Sequence, residues 1–205
     1  MRIINSSAQL VTDINRAEVM SLIERAGRVC YKSEGNIGDG TADKFIANII
    51  ARGHESVIEH VSLTVHVICD RGVSHELVRH RIASYSQEST RYCNYSAGKF
   101  GNELTFIAPC FWTEESPEYA QWRTAMEQAE RAYLNLLSMG AKPEQARSVL
   151  PNSLKTELYV TMNLREWRHF LRLRTSPRAH PQMRELALQI KSLLTEKLPI
   201  IFQDI

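Results

Sequence analysis

The chain has 205 residues, 43% hydrophobic and 23% charged, with a net charge of +2. That is the make-up of a single folded domain spanning 1–205, not of a disordered chain or a polycation, so bulk charge makes no case for nucleic-acid binding. The cations are 18 Arg against 7 Lys, and the flat guanidinium fork suits phosphates and carboxylates, which points to local anion sites.

Arg2 to Ser6 is a short opening strand by its pattern. Ala17 to Tyr31 carries Val19, Leu22, Ile23, Ala26 and Cys30 along one helical side. A glycine-rich loop, KSEGNIGDGT, leads to a second helix over Thr41–Arg52 with Thr41 as its N-cap. In HVSLTVHVICD, Val61, Leu63, Val65 and Val67 alternate with Ser62, Thr64, His66 and Ile68, the period of a half-buried strand. Gly72–Arg81 reads as a short helix and Phe106–Pro109 as extended chain. Ser116 caps the longest helix, to Met139, with Pro117 at its first position. Glu144–Leu150 is a helical piece stopped by Pro151, and Leu154–Met162 alternates as a second strand. Asn163–Arg174 and Gln182–Leu198 are helices. Helices and strands mix without regular strand–helix alternation, so the expected fold is α/β (α+β), a small, partly antiparallel sheet covered by helices.

Three segments could carry chemistry. RHRIASYSQESTRY, Arg79 to Tyr92, sets Arg79, Arg81, Arg91 and His80 among Ser84, Ser86, Gln87, Ser89 and Thr90. Guanidinium groups framing hydroxyls is a phosphate-gripping composition; an exposed basic turn paired with acids elsewhere is the plainer reading. NLREWRHFLRLRTSPRAH, Asn163 to His180, places Arg165, Arg168, His169 and Arg172 on one stripe, with Asn163, Trp167, Phe170 and Arg174 near the other. A solvated basic stripe over a Trp167/Phe170 core accounts for Arg168 and Arg172, but poorly for Arg174. On a regular helix Arg165 and Arg174 cannot reach the same atom. GHESVIEH, Gly53 to His60, lacks HExxH spacing, so a turn with His54 and Ser56 as polar contacts is expected and no metal. Ser89 is not in GxSxG and no phosphate-cradling glycine loop occurs. Cys30, Cys69, Cys93 and Cys110 form no CxxC pair, as for reduced thiols. The N-terminus has no leader pattern and no apolar run reaches membrane length, so a cytoplasmic protein without membrane contact is expected.

Arg79-His80-Arg81, then seven residues, then Ser89 resembles the signature of the flavin-dependent thymidylate synthases. GHESVIEH, ARSVLP at Ala146–Pro151 and NLREWRHFLRLR extend the likeness in the same order through nearly the whole chain. The resemblance implies a homotetramer with active sites at subunit interfaces. It implies reductive methylation of dUMP to dTMP, with FAD as cofactor, NADPH as reductant and 5,10-methylenetetrahydrofolate as carbon donor. By position, Ser56, Arg79, His80, Arg81, Gln87, Asn163, Leu164, Arg165 and His169 would contact flavin. Glu76, Leu77, Val78, Arg79, Gln87, Glu88, Ser89, Thr90, Arg91, Arg147 and Arg174 would contact the nucleotide, with Arg174 as the catalytic residue that polarises uracil at N3. Some members carry Gln where this chain has Glu76, and Asn-Glu where it has Ser86-Gln87. Two other readings compete: an Arg-rich nucleic-acid-binding module, which needs steeply salt-dependent binding, and a phosphoester hydrolase, which needs metal ligands.

Overall fold

Strict alternation in two nine-residue strands builds the centre of the protein. The computed structural model describes residues 1–98 and 101–205. Strand β3 (Ser62–Asp70) buries Leu63, Val65, Val67 and Cys69, and β6 (Lys155–Asn163) buries Thr156, Leu158, Val160 and Met162. The two pair antiparallel along their full length, from Ser62 opposite Asn163 to Asp70 opposite Lys155. Strands β2 (Ser7–Leu10) and β4 (Ala83–Gln87) complete an antiparallel sheet of order β2-β3-β6-β4. A separate parallel pair joins β1 (Arg2–Ile4) to β5 (Thr105–Ile107). The result is the expected mixed fold, with helices over a small sheet.

The main core packs β3 and β6 against α1 (Arg16–Val29), α2 (Thr41–Ala51), α6 (Leu164–Arg174), α7 (Pro181–Lys197) and α8 (Pro199–Phe202). Met20, Ile23, Ile46, Trp167, Phe170, Met183, Leu186, Ile201 and Phe202 are among its buried side chains. A smaller cluster of Tyr95, Leu104, Phe106, Met126, Tyr133, Ala146 and Leu154 lies under α4 (Pro117–Ser138) and α5 (Pro143–Ala146). Ser116 caps α4 by accepting from Tyr119 N, with Pro117 at its first position, as expected. Among the described residues no helix is long and apolar enough to cross a membrane.

Several boundaries depart from the sequence reading for local reasons. Gly40, at φ 73°, occupies the cap position of α2; Thr41 is the first helical residue and its hydroxyl bonds to Gly38 O and Glu24 instead. Helix α3 (Arg71–Leu77) is shorter than the expected Gly72–Arg81. Tyr85 Oη donates to the carbonyls of Leu77 and His80, at 2.7 Å each, and so fixes the turn that follows the helix. Strands β2 and β4 were not expected. Each sets only two apolar side chains against the core, Ala8 and Leu10 in β2, Ala83 and Tyr85 in β4, too short an alternation to stand out in the sequence.

Arg168 differs most. The helical spacing predicts a solvated side chain, yet Arg168 has no exposure. Its guanidinium donates to Glu55 at 3.0 Å, to both carboxylate oxygens of Asp204 at 2.6 and 2.7 Å, and to the Ile201 carbonyl. It thereby joins α6 to the 3-10 turn Glu55–His60 and to the C-terminal end. The Arg168 hydrogen bond holds the Asp204 carboxyl below its usual range; burial pushes Glu55 up, but Arg172 and Arg168 outweigh it and bring it down. Removing one partner of a buried ion pair costs more than the pair contributes, because the other charges stay behind. Arg168→Met is therefore expected to destabilise the fold by about 3 kcal/mol, lowering Tm by roughly 6–12 °C in a thermal melt; an unchanged Tm would show that the pairing is dispensable.

Candidate functional site

The sequence candidates separate into two groups at opposite ends of β4. The first forms where α3 ends and α6 runs past. Asp70 caps α3 by accepting from Val73 N at 2.6 Å and is itself held by Gln182 at 2.7 Å, which fixes where the helix begins. Six residues later the chain delivers Glu76, then Arg79, His80 and Arg81, to the exposed edge of α6. Asn163 caps α6 by accepting from Glu166 N at 2.8 Å, which presents Arg165, His169 and Arg174 along that edge. A cavity of about 490 Å³ is lined by Asn163, Arg165, Glu166, His169 and Ile82 with Glu55, Glu59 and Arg172. A second, of about 400 Å³, is lined by Arg79, His80, Arg81, Leu173 and Arg174 and shares Ile82, Glu166 and His169 with the first. Neither holds both Arg165 and Arg174, in keeping with their separation on the helix.

Arg174 is tightly held. Its Nη1 donates to Glu76 Oε2 at 2.6 Å, its Nη2 to the Glu76 carbonyl at 3.3 Å, and its Nε to His80 Nε2 at 3.1 Å. A guanidinium does not give up its proton, so His80 Nε2 must offer a lone pair and the ring proton must sit on Nδ1. His80 is buried, edge-on to Phe170 with ring centroids 5.0 Å apart. Burial first, then the nearby charges of Arg174 and His169, pull its pKa down to about 4, so the imidazole is neutral at physiological pH. Around this clamp, Arg79 and Arg81 are exposed, and among the described residues no acid engages either guanidinium. Arg165 pairs with Glu59 and Arg172 with Glu55.

The second group lies beyond the other end of β4. Glu88 accepts from Tyr95 Oη at 2.9 Å and from Lys155 Nζ at 3.1 Å. Ser89 Oγ accepts from Arg91 N, and Arg147 reaches Thr90 Oγ1 at 3.4 Å. Arg91 lies over the Tyr92 ring and 3.8 Å from Glu144. Between the two groups run the five residues of β4, about 16 Å of extended chain.

Some candidates are placed otherwise than contact with a ligand would suggest. Leu164 buries its side chain in the main core and spends its N–H on the Val61 carbonyl. Leu77 is also buried, with its carbonyl held by Tyr85. Gln87 directs its amide nitrogen inward to Ser74 and Thr156, at 3.0 and 3.1 Å. Ser56 and Val78 are exposed. Sequence reasoning passed over Glu166, whose Oε1 lies 3.4 Å from His80 Nδ1, and Lys155, which neutralises Glu88 and Glu157. For Glu166 a signal existed: Asn163-x-x-Glu166 is the spacing of a capping box. His80, Glu166 and His169 also bring ligand-type atoms within 4.8 Å of one another, a donor set unlike the GHESVIEH string weighed for metal. The Arg174 guanidinium on His80 opposes a cation there.

The chain resembles known proteins along most of its length. Residues 10–200 match the family described as "Thymidylate synthase complementing protein". The flavin-dependent thymidylate synthase of Geobacter sulfurreducens is 38% identical over 188 residues, 87% of this chain and 78% of that protein. That of Pyrococcus furiosus is 37% identical over 168 residues, 82% and 68% of the two chains, and that of Corynebacterium aurimucosum 33% over 210 residues, 94% and 82%. The crystal structure of a UMP/dUMP methylase from Streptomyces cacaoi, PolB, bound with 5-Br dUMP superposes with a TM-score of 0.81 at 26% identity, covering 99% of this chain and 96% of that one. The chain belongs to the flavin-dependent thymidylate synthase family of enzymes.

The buried neutral His80 sets a pH dependence. Its pKa is about 4 in the folded protein against an ordinary 6.5, so between those values the unfolded chain binds more protons and stability falls as pH falls. Tm measured from pH 7 to pH 5 should drop less steeply in His80→Asn than in the wild type; parallel curves would show that His80 does not titrate as an isolated buried group.

Proposed function

We propose that this member of the family reductively methylates dUMP to dTMP, with FAD as its cofactor, 5,10-methylenetetrahydrofolate as carbon donor and NADPH as reductant. The observation that carries the reading is the Arg174 clamp flanked by the guanidinium groups of Arg79 and Arg81, which no acid among the described residues engages. That donor set fits an anionic, heteroaromatic cofactor: cations for its phosphates, His80 and His169 beside an apolar wall of Ile82 and Leu173 for its rings. Asn163, Arg165, His169, Arg79, His80 and Arg81 would hold it. Bound there, the flavin supplies the reducing equivalents for the new methyl group.

What the chain itself must supply is charge and position. Transfer of a one-carbon unit to uracil C5 builds negative charge on the N3/O4 side, and a guanidinium already fixed in place stabilises it without reorganisation. Arg174 is such a group, held by Glu76 and His80. Ser89 is not needed as a nucleophile. Among the described residues no hydrogen bond joins its Oγ to a histidine or a carboxylate, and the Oγ accepts from the Arg91 N–H. Glu88, Ser89, Thr90, Arg91 and Arg147 would grip the nucleotide phosphate and sugar.

These two halves lie about 16 Å apart along one chain, farther than one nucleotide comfortably spans. A homotetramer with its sites at subunit interfaces resolves this, since symmetry can bring the β4–Arg91 end of one copy to the Arg174 end of another. The exposed apolar residues Ile82, Leu173 and Tyr92 beside the two groups suit such burial. The nucleic-acid-binding alternative is weakened, because much of the apparent positive charge is internally neutralised: Arg165 by Glu59, Arg168 by Glu55 and Asp204, Arg174 by Glu76. The proposed setting is the cytoplasm, where the nucleotide and folate pools are.

The test is direct. Protein incubated with FAD should show a bound-flavin spectrum, and with dUMP, the folate and NADPH it should make dTMP; parallel assays with UMP establish which sugar is accepted. A protein that binds no FAD, or turns over neither nucleotide, contradicts the reading. Arg174→Ala should keep flavin and lose about 100-fold or more in kcat, whereas Ser89→Ala should retain measurable turnover; complete inactivity of Ser89→Ala with ligands still bound would assign Ser89 a covalent role.

A further inference from the structure

Glu166 sits in the first turn of α6, 8% exposed, with its carboxyl pKa raised by burial although His169 draws it down. A glutamate three residues after an asparagine cap would ordinarily fold back on the helix start. Here the Asn163 side chain takes the Glu166 N–H, while the Glu166 carboxylate lies 3.4 Å from His80 Nδ1. On the other side of the same ring, His80 Nε2 accepts from Arg174 Nε at 3.1 Å. The three side chains form one line: carboxylate, imidazole, guanidinium.

An imidazole has two neutral tautomers of similar energy, and only the one with its proton on Nδ1 can accept from Arg174. A carboxylate beside Nδ1 favours that tautomer, because it attracts the Nδ1–H and repels an Nδ1 lone pair. Without it, the tautomer with its proton on Nε2 would turn an N–H toward the guanidinium N–H. That contact is repulsive, and the Nε edge of Arg174 would lose its partner. Glu76 alone would then hold the guanidinium, through its carboxylate and carbonyl. Two bonds to one residue leave the group free to swing about that attachment, whereas a third from another direction fixes its plane.

We propose that Glu166 is a positioning residue: through the His80 tautomer it fixes the plane in which Arg174 meets the substrate. The proposal rests on the reading of Arg174 as the group that stabilises charge on the pyrimidine. It separates Glu166 from residues that merely line the cavity, because its effect must pass through His80.

The experiment compares Glu166→Leu, which has no acceptor, with Glu166→Gln, whose amide oxygen can still accept from Nδ1–H. Both should bind FAD as the wild type does. Glu166→Leu should lose about 10- to 100-fold in kcat for dUMP, the scale of a misplaced catalytic group, with KM changed less than about threefold. Glu166→Gln should recover most of that loss. Wild-type kcat in Glu166→Leu, or equal loss in both variants with flavin still bound, overturns the proposal. So does loss of flavin in step with activity, which would mark Glu166 as a cofactor contact. Nitrogen NMR of the histidines in the wild-type holoenzyme needs no variant to fold. His80 should show a protonated Nδ1 and an unprotonated Nε2, and the reverse pattern contradicts the mechanism. If the wild type makes no dTMP at all, the functional reading fails, while the tautomer measurement still decides the geometry.

Discussion

The length of β4 is the constraint around which the candidate site is organised. Five residues of extended chain, fixed in register from Ala83 opposite Met162 to Gln87 opposite Leu158, hold the Arg79–Arg81 end apart from the Glu88–Arg91 end. The strand cannot shorten or slip, because Tyr85 is tied to the carbonyls of Leu77 and His80 and Gln87 to Ser74 and Thr156. A continuous signature in sequence is thus a divided one in space. In the proposed reading each half is useful only when a neighbouring copy supplies the other, and oligomerisation becomes a condition of activity.

At one end of that strand the protein pre-sets a charge. Arg174 is held on two sides by residues that reach it from α3 and the turn after it, while α6 carries the arginine itself and the glutamate behind His80. The rigidity of α6 comes partly from below, where buried Arg168 locks the helix to Glu55 and Asp204. The Glu76 carboxylate has a consequence of its own. It neutralises Arg174 at 2.6 Å, so part of the attraction between the guanidinium and an anionic substrate is offset within the protein. A chain with an uncharged amide at that position would hold the arginine less strongly and present more net charge.

The sheet centre was legible because β3 and β6 are buried on one face only, so their apolar residues fall on alternate positions. The edge strands were not, because β2 and β4 are only four and five residues long and each offers just two apolar side chains to the core. The cations of the site were legible as Arg density, and Arg174 stood out because it fell toward the apolar side of its helix. Which arginine was solvated was not legible. Helical angle puts Arg168 beside Arg165 and His169, and only the return of the C-terminus, with Asp204, buries it. The acids around the arginines come from three places in the chain, Glu76, Glu166 and the turn that carries both Glu55 and Glu59, and no local pattern links the three.

The claim that the site is divided between copies is tested most directly by mixing two inactive variants. Arg174→Ala damages one half and Arg91→Ala the other. If sites are shared between subunits, unfolding and reassembling the two together should restore activity, to about a quarter of the wild-type level for random assortment in equal amounts. If each chain completes its own site, the mixture stays as inactive as either variant alone, and the account of β4 as the divider of a shared site is wrong.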